Sequence, residues 1–121
     1  MRYDALLLET EIEELDALIS ETQGALTQAQ GTLTMLTARK TSLESDIAAL
    51  NTRINTEFPP NSNSSAKRAL EAQRDAKQNE LAGVNAQITD TNTLVSGLSG
   101  DLQALQSQVE TLDAQLTEKK S

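Results

Sequence analysis

Apolar residues recur along this chain at alternating spacings of three and four, the period at which one stripe of an α-helix keeps facing a neighbouring helix. In the first half the stripe is Leu8, Ile12, Leu15, Ile19, Thr22, Leu26, Ala29, Leu33, Leu36, Lys40, Leu43, Ile47, Leu50 and Ile54. In the second it is Leu70, Arg74, Lys77, Leu81, Val84, Ile88, Thr91, Val95, Leu98, Leu102, Leu105, Val109, Leu112 and Leu116. Neither run skips a step, so neither half contains a stutter. Between them stands Phe58-Pro59-Pro60-Asn61-Ser62-Asn63-Ser64-Ser65. Adjacent prolines stop one helix, and Asn and Ser supply the turn and capping groups that start another.

Folding the chain back at the prolines matches the two stripes residue for residue. Ile54 meets Leu70, Leu50 meets Arg74, Ile47 meets Lys77, and the pairing continues without a gap to Ile12 with Leu112 and Leu8 with Leu116. With Ile12 at heptad position a and Leu15 at d, each a residue of the first helix faces a d residue of the second, as an antiparallel pair requires. Unrelated helices would have no reason to match in this way. The expected fold class is therefore all-α: a long antiparallel two-helix coiled-coil hairpin spanning 1–121 as a single domain. Helix one covers about 3–57, the Pro/Asn/Ser loop 58–65, and helix two about 66–119. At about 1.5 Å per residue this predicts a rod about 80 Å long, with both termini at one end and the loop at the other.

Five seam positions are not aliphatic: Thr22, Lys40, Arg74, Lys77 and Thr91. Polar residues at a and d fix registration and oligomeric state at some cost in stability, and the stems of Lys and Arg can pack while their charges reach outward. The flanking e and g positions are mostly Gln, Asn, Thr and Ser, so selection of partners by charge is weak; Leu18, Ala25 and Leu94 stand at g. They widen the apolar stripe beyond what two helices cover. Further bundling, with other copies or with a partner helix, is the expected consequence. All five glycines, Gly24, Gly31, Gly83, Gly97 and Gly100, occupy outer positions where each costs about 1 kcal/mol of helix propensity. Four of them gather near the Thr22 layer, which should be the softest part of the hairpin.

Composition narrows the functional classes. With one Tyr, one Phe and no Trp in 121 residues there is little from which to build a globular core. There is no Cys for a disulfide, a thiolate nucleophile or a zinc site, and no His. Asp, Glu, Ser and Lys spread along a helical surface cannot converge on a reacting atom, so the chain is read as a non-enzyme with no cofactor and no metal. Glu9, Glu13 and Asp16 share a helix face, but a straight helix lacks the enclosing loop that a calcium site needs. The opening residues suit neither a signal peptide nor a membrane span, and the chain is read as soluble and unprocessed. Asn63-Ser64-Ser65 fits a glycosylation acceptor only by its short pattern.

A net charge of −8 disfavours nucleic acid and anionic membranes as partners. The charge is uneven. From Arg39 to Asn85 seven basic residues meet six acidic ones, giving +1 and leaving −9 for the rest. Beside the acidic end, Met1, Tyr3, Leu6 and Leu7 add apolar groups outside the seam and form a candidate anchoring surface. At the loop end, Lys67 and Arg68 oppose the dipole of helix two, and local pairing with Glu57 and Glu71 would account for them.

The partners expected are proteins, in a homo-oligomer or an obligate complex. The function expected is that of a structural assembly protein acting through coiled-coil contacts, a fibre, neck or tail element of a phage or other virion. The alternative is a coiled-coil adaptor or chaperone of a larger assembly, and the location is the virion or the cytoplasm.

Overall fold

The computed structural model describes residues 2–120, in two helices: α1 (Arg2–Glu57) and α2 (Ser65–Lys120). These bounds lie within one residue of those expected from the sequence, and the described residues hold no strand. Both helices run unbroken through their glycines. A Cβ added at any of the five would meet nothing within 4 Å, so these positions face open space.

α1 ends at Glu57 because Phe58 precedes a proline, whose ring disfavours helical backbone at the residue before it. The Ser62 N–H donates to the Pro59 carbonyl at 3.0 Å and closes a turn, and the Ser64 N–H reaches the Ser62 hydroxyl oxygen at 3.4 Å. Ser64 is the N-cap of α2: its Oγ accepts the Lys67 N–H at 3.1 Å, while its carbonyl accepts the Arg68 N–H at 3.1 Å. Lys67 does not pair with Glu57 as its position suggested. Its ammonium instead donates to the Pro60 and Ser62 carbonyls, both at 3.4 Å, which offsets its unfavourable place in the first turn of α2. Glu57 is taken by Arg53, one turn earlier on α1 (Nε to Oε2, 2.7 Å).

The two helices pack against each other as a hairpin, and every residue of the expected seam is buried or half-buried, while most of the remainder is exposed. Among the described residues five are buried, each still 4–7% exposed: Ala29, Leu43, Ile54, Leu70 and Val84. Ile54 and Leu70, which the seam alignment pairs in the layer next to the loop, are both among them. Even so, among the described residues no large side chain is completely enclosed.

The chain divides into two compact units. The loop unit, Thr32–Thr91, contains four of the five buried residues. Polar links join the helices here: Arg39 with Glu80, Lys77 Nζ with Asp46 Oδ2 at 3.5 Å, and Arg74 Nη1 with Asn51 Oδ1 at 3.4 Å. The terminal unit, Met1–Gly31 with Asn92–Ser121, has Ala29 as its one buried residue among those described, and its seam is otherwise half-covered. Lys119 reaches across to Asp4 there, at 3.8 Å.

Threonine is tolerated in these helices because its hydroxyl finds a partner close by. Thr10, Thr37, Thr41, Thr52, Thr89, Thr91, Thr111 and Thr117 each donate to the carbonyl four residues earlier, at 2.7 to 3.2 Å. At Thr91 this satisfies the hydroxyl of a seam residue without help from the other helix.

The difference in burial predicts a difference in cost. Leu43, 4% exposed, should lose about 3 kcal/mol on Leu43→Ala, and half-covered Leu112 about half as much, measured by urea unfolding at one protein concentration. An equal loss at Leu112 would mean that something covers it in solution. The Arg53 hydrogen bond holds the Glu57 carboxyl below the usual carboxylate range and pushes the guanidinium of Arg53 up. A carboxyl depressed in the folded state contributes stability above its unfolded pKa and loses it as pH falls through the folded one. Because both groups are exposed, the gain in stability is slight. In a carboxyl NMR titration, Glu57 should protonate at lower pH than the same group in an Arg53→Gln variant.

Candidate protein-binding surface

In a paired helix the positions beside the seam form two flanks, with g and c on one side and e and b on the other. The terminal unit treats them differently. On its g/c flank stand Leu7, Leu18 and Ala25 of α1 and Leu94 of α2, all exposed; Leu18 is 46% and Leu94 53% accessible. On its e/b flank Leu6 is the one large exposed apolar residue among the described positions, amid Ser20, Gln23, Thr27, Gln103 and Gln106. Of the anchoring cluster expected at the start of the chain, Leu6 and Leu7 are thus exposed but lie on opposite flanks. Met1 and the side chain of Tyr3 lie outside the described residues.

The g/c flank contains an open groove of about 500 Å³ between α1 and α2. Its floor is Leu15, Leu18 and Leu112, and its walls are Glu11 and Glu14 on α1 and Ser107, Gln108 and Thr111 on α2. The g residues of the two helices, Glu11 and Gln108, both line the groove. Arg39 and Glu80 hold equivalent positions in the loop unit and do meet.

Charge follows the division into units. In the loop unit Arg39, Lys40, Arg53, Lys67, Arg68, Arg74 and Lys77 balance Glu44, Asp46, Glu57, Glu71, Asp75, Glu80 and Asp90, so the terminal unit carries the whole net charge of −8. On the terminal unit's g/c flank, Glu11, Glu14, Glu21 and Asp101 make no ion pair among the described residues. Glu9, Glu13 and Asp16, which the sequence places on one face, belong to the other flank. No group of three carboxylates among the described residues could hold a metal ion, and no helix is long and apolar enough to cross a membrane.

The polar seam residues Thr22, Lys40, Arg74, Lys77 and Thr91 are all half-buried within the seam. Arg74 and Lys77 send their charges outward to Asp75, Asn51 and Asp46. Sequence reasoning missed Met35, at 73% the most exposed large apolar residue among those described, because Met35 stands at c in the loop unit and not at g. It also missed the groove walls: sorting the acidic residues by heptad position would have placed Glu11 and Glu14 beside Leu18. A shallow depression on α1 of the loop unit, over Leu33, Thr34, Thr37, Ala38 and Thr41, involves a single helix and encloses nothing.

No protein-family model matches the chain, and no curated protein or solved structure matches it either.

If the flank leucines are a binding surface and not part of the core, removing them should leave the fold intact. Leu18→Ser and Leu94→Ser should each change the urea midpoint by no more than about 0.5 kcal/mol in free-energy terms, against the large loss expected for Leu43→Ala.

Proposed function

We propose that this chain is a non-enzymatic assembly protein whose hairpin packs against helices of other chains, as a fibre, neck or tail element of a phage or other virion. The observation that carries this reading is the incomplete cover of the seam. Nearly all of the terminal unit's apolar stripe remains half-exposed, and further leucines extend it on one flank. A stripe left in this state is stabilised by each additional helix that removes it from water, at about 25 cal/mol per Å² of apolar surface. Permanent particles provide such neighbours in a fixed arrangement. The Thr-, Gln- and Asn-rich surface, with few ion pairs between helices, suits a contact that is made once and kept.

The groove on the terminal unit supports a second reading, an adaptor or chaperone that holds a client segment along its helices. Copy number separates the two. Affinity purification of the native complex through this chain, followed by quantitative mass spectrometry, should find it at a fixed stoichiometry in the finished assembly. Presence in intermediates but not in the finished assembly would select the adaptor. Alone at micromolar concentration the chain should sediment as an associated species or show incomplete helicity, and a fully helical monomer would refute the need for a partner.

A further inference from the structure

Resting on the reading that the hairpin packs against other helices, we infer that the g/c flank of the terminal unit docks one basic, amphipathic helix supplied by a different protein. The flank has the shape for a helix. A groove between two long helices accepts a third lying along both, with its apolar stripe set into the floor formed by Leu15, Leu18 and Leu112. The apolar track continues on the same faces. Ala25 lies one heptad beyond Leu18 on α1, and Leu94 lies two heptads before Gln108 on α2. Gly97, three residues after Leu94, presents no side chain, and a Cβ there would meet nothing within 4 Å, so a neighbour can come close to the backbone.

The rim has one sign. Glu11 and Glu14 line the groove, Glu21 and Asp101 follow along it, and none of the four has a cationic partner among the described residues. A helix with Lys or Arg beside its apolar stripe would set cations against these carboxylates. A second copy of this chain does not. Its terminal unit would bring the same acids to the contact, and like charges facing across an interface oppose association. Nor does its loop unit supply free cations in quantity. Arg39, Arg53, Arg74 and Lys77 are held by Glu80, Glu57, Asp75 and Asp46, and Lys67 is held by loop carbonyls.

The test uses the full chain and three synthetic helical peptides of about 21 residues, six turns, enough to run the length of the groove. The first carries Leu at alternating three- and four-residue spacing flanked by Lys, the second the same Leu flanked by Glu, and the third the same Lys with Ser replacing Leu. Binding is read by fluorescence anisotropy. The first peptide should bind at least about tenfold more tightly than either of the others, and Leu18→Ser should weaken it by about tenfold. Glu11→Gln with Glu14→Gln should weaken it and flatten its dependence on salt. Because Leu18 is exposed, its replacement leaves the fold in place, and circular dichroism of each variant verifies this.

Equal binding of the Leu-free peptide, or indifference to Leu18→Ser, would reduce the effect to net charge and overturn the inference. So would tight binding of the Glu-flanked peptide, or self-association of the chain that disappears with Leu18→Ser, which would make a second copy the occupant. Failure of all three peptides to bind would also overturn it, yet would leave the assembly role intact if the chain is still stoichiometric in its native complex.

Discussion

Two helices can shield only the line along which they touch. Each a or d side chain in a two-stranded pair is covered by its opposite number and by its own helix, but its outer edge stays open to water unless the flanking e and g residues close over it. Where they close, that edge is shielded. In the loop unit the Arg39–Glu80 contact bridges the two g positions, and Leu43 and Val84, each within about one turn of it, are among the most buried residues of the chain. Where short polar or unpaired residues stand at those positions, as at Glu11 and Gln108, the same kind of seam is left half-wet and a groove opens. The three-four spacing of the seam is the same in both units, and the loop unit is the better covered although it holds four of the five polar seam residues.

The polar residues placed within the seam fit the same constraint. Arg74 and Lys77 would be costly if they held a charge between leucines, but each is long enough to leave its stem in the seam and carry its charge to a flank. There Asp75, Asn51 and Asp46 receive it. Two of those three receivers lie on the other helix, so the charges that interrupt the apolar stripe also tie α1 to α2 in one alignment. Thr91 solves the problem differently, by giving its proton to its own helix.

Much of the architecture was legible in the sequence because a heptad pattern states both the element and the neighbour it needs. The complete match between the two stripes fixed the fold-back, and the tandem prolines fixed where it happens. Ser64 was recognisable as capping chemistry. Side-chain choice was less legible. Glu57 could reach either Arg53 or Lys67, and proximity within one helix won, since Arg53 lies one turn away on a backbone already ordered. Exposure at outer positions such as Met35, and the lopsided use of the two flanks, required each residue to be placed around the helix and not only along it. The nature of the partner leaves no mark in a periodicity, only in the shape and sign of the surface that waits for it.

The gathering of charge into one unit makes the molecule's response to acid asymmetric. At neutral pH the terminal unit repels itself while the loop unit is balanced. As carboxylates take up protons the terminal unit is relieved of that repulsion and approaches neutrality, whereas the loop unit, losing its counter-ions, is left strongly cationic. Acidification therefore does not simply weaken this hairpin: it exchanges which unit bears the electrostatic strain, and with it which unit attracts molecules of opposite sign.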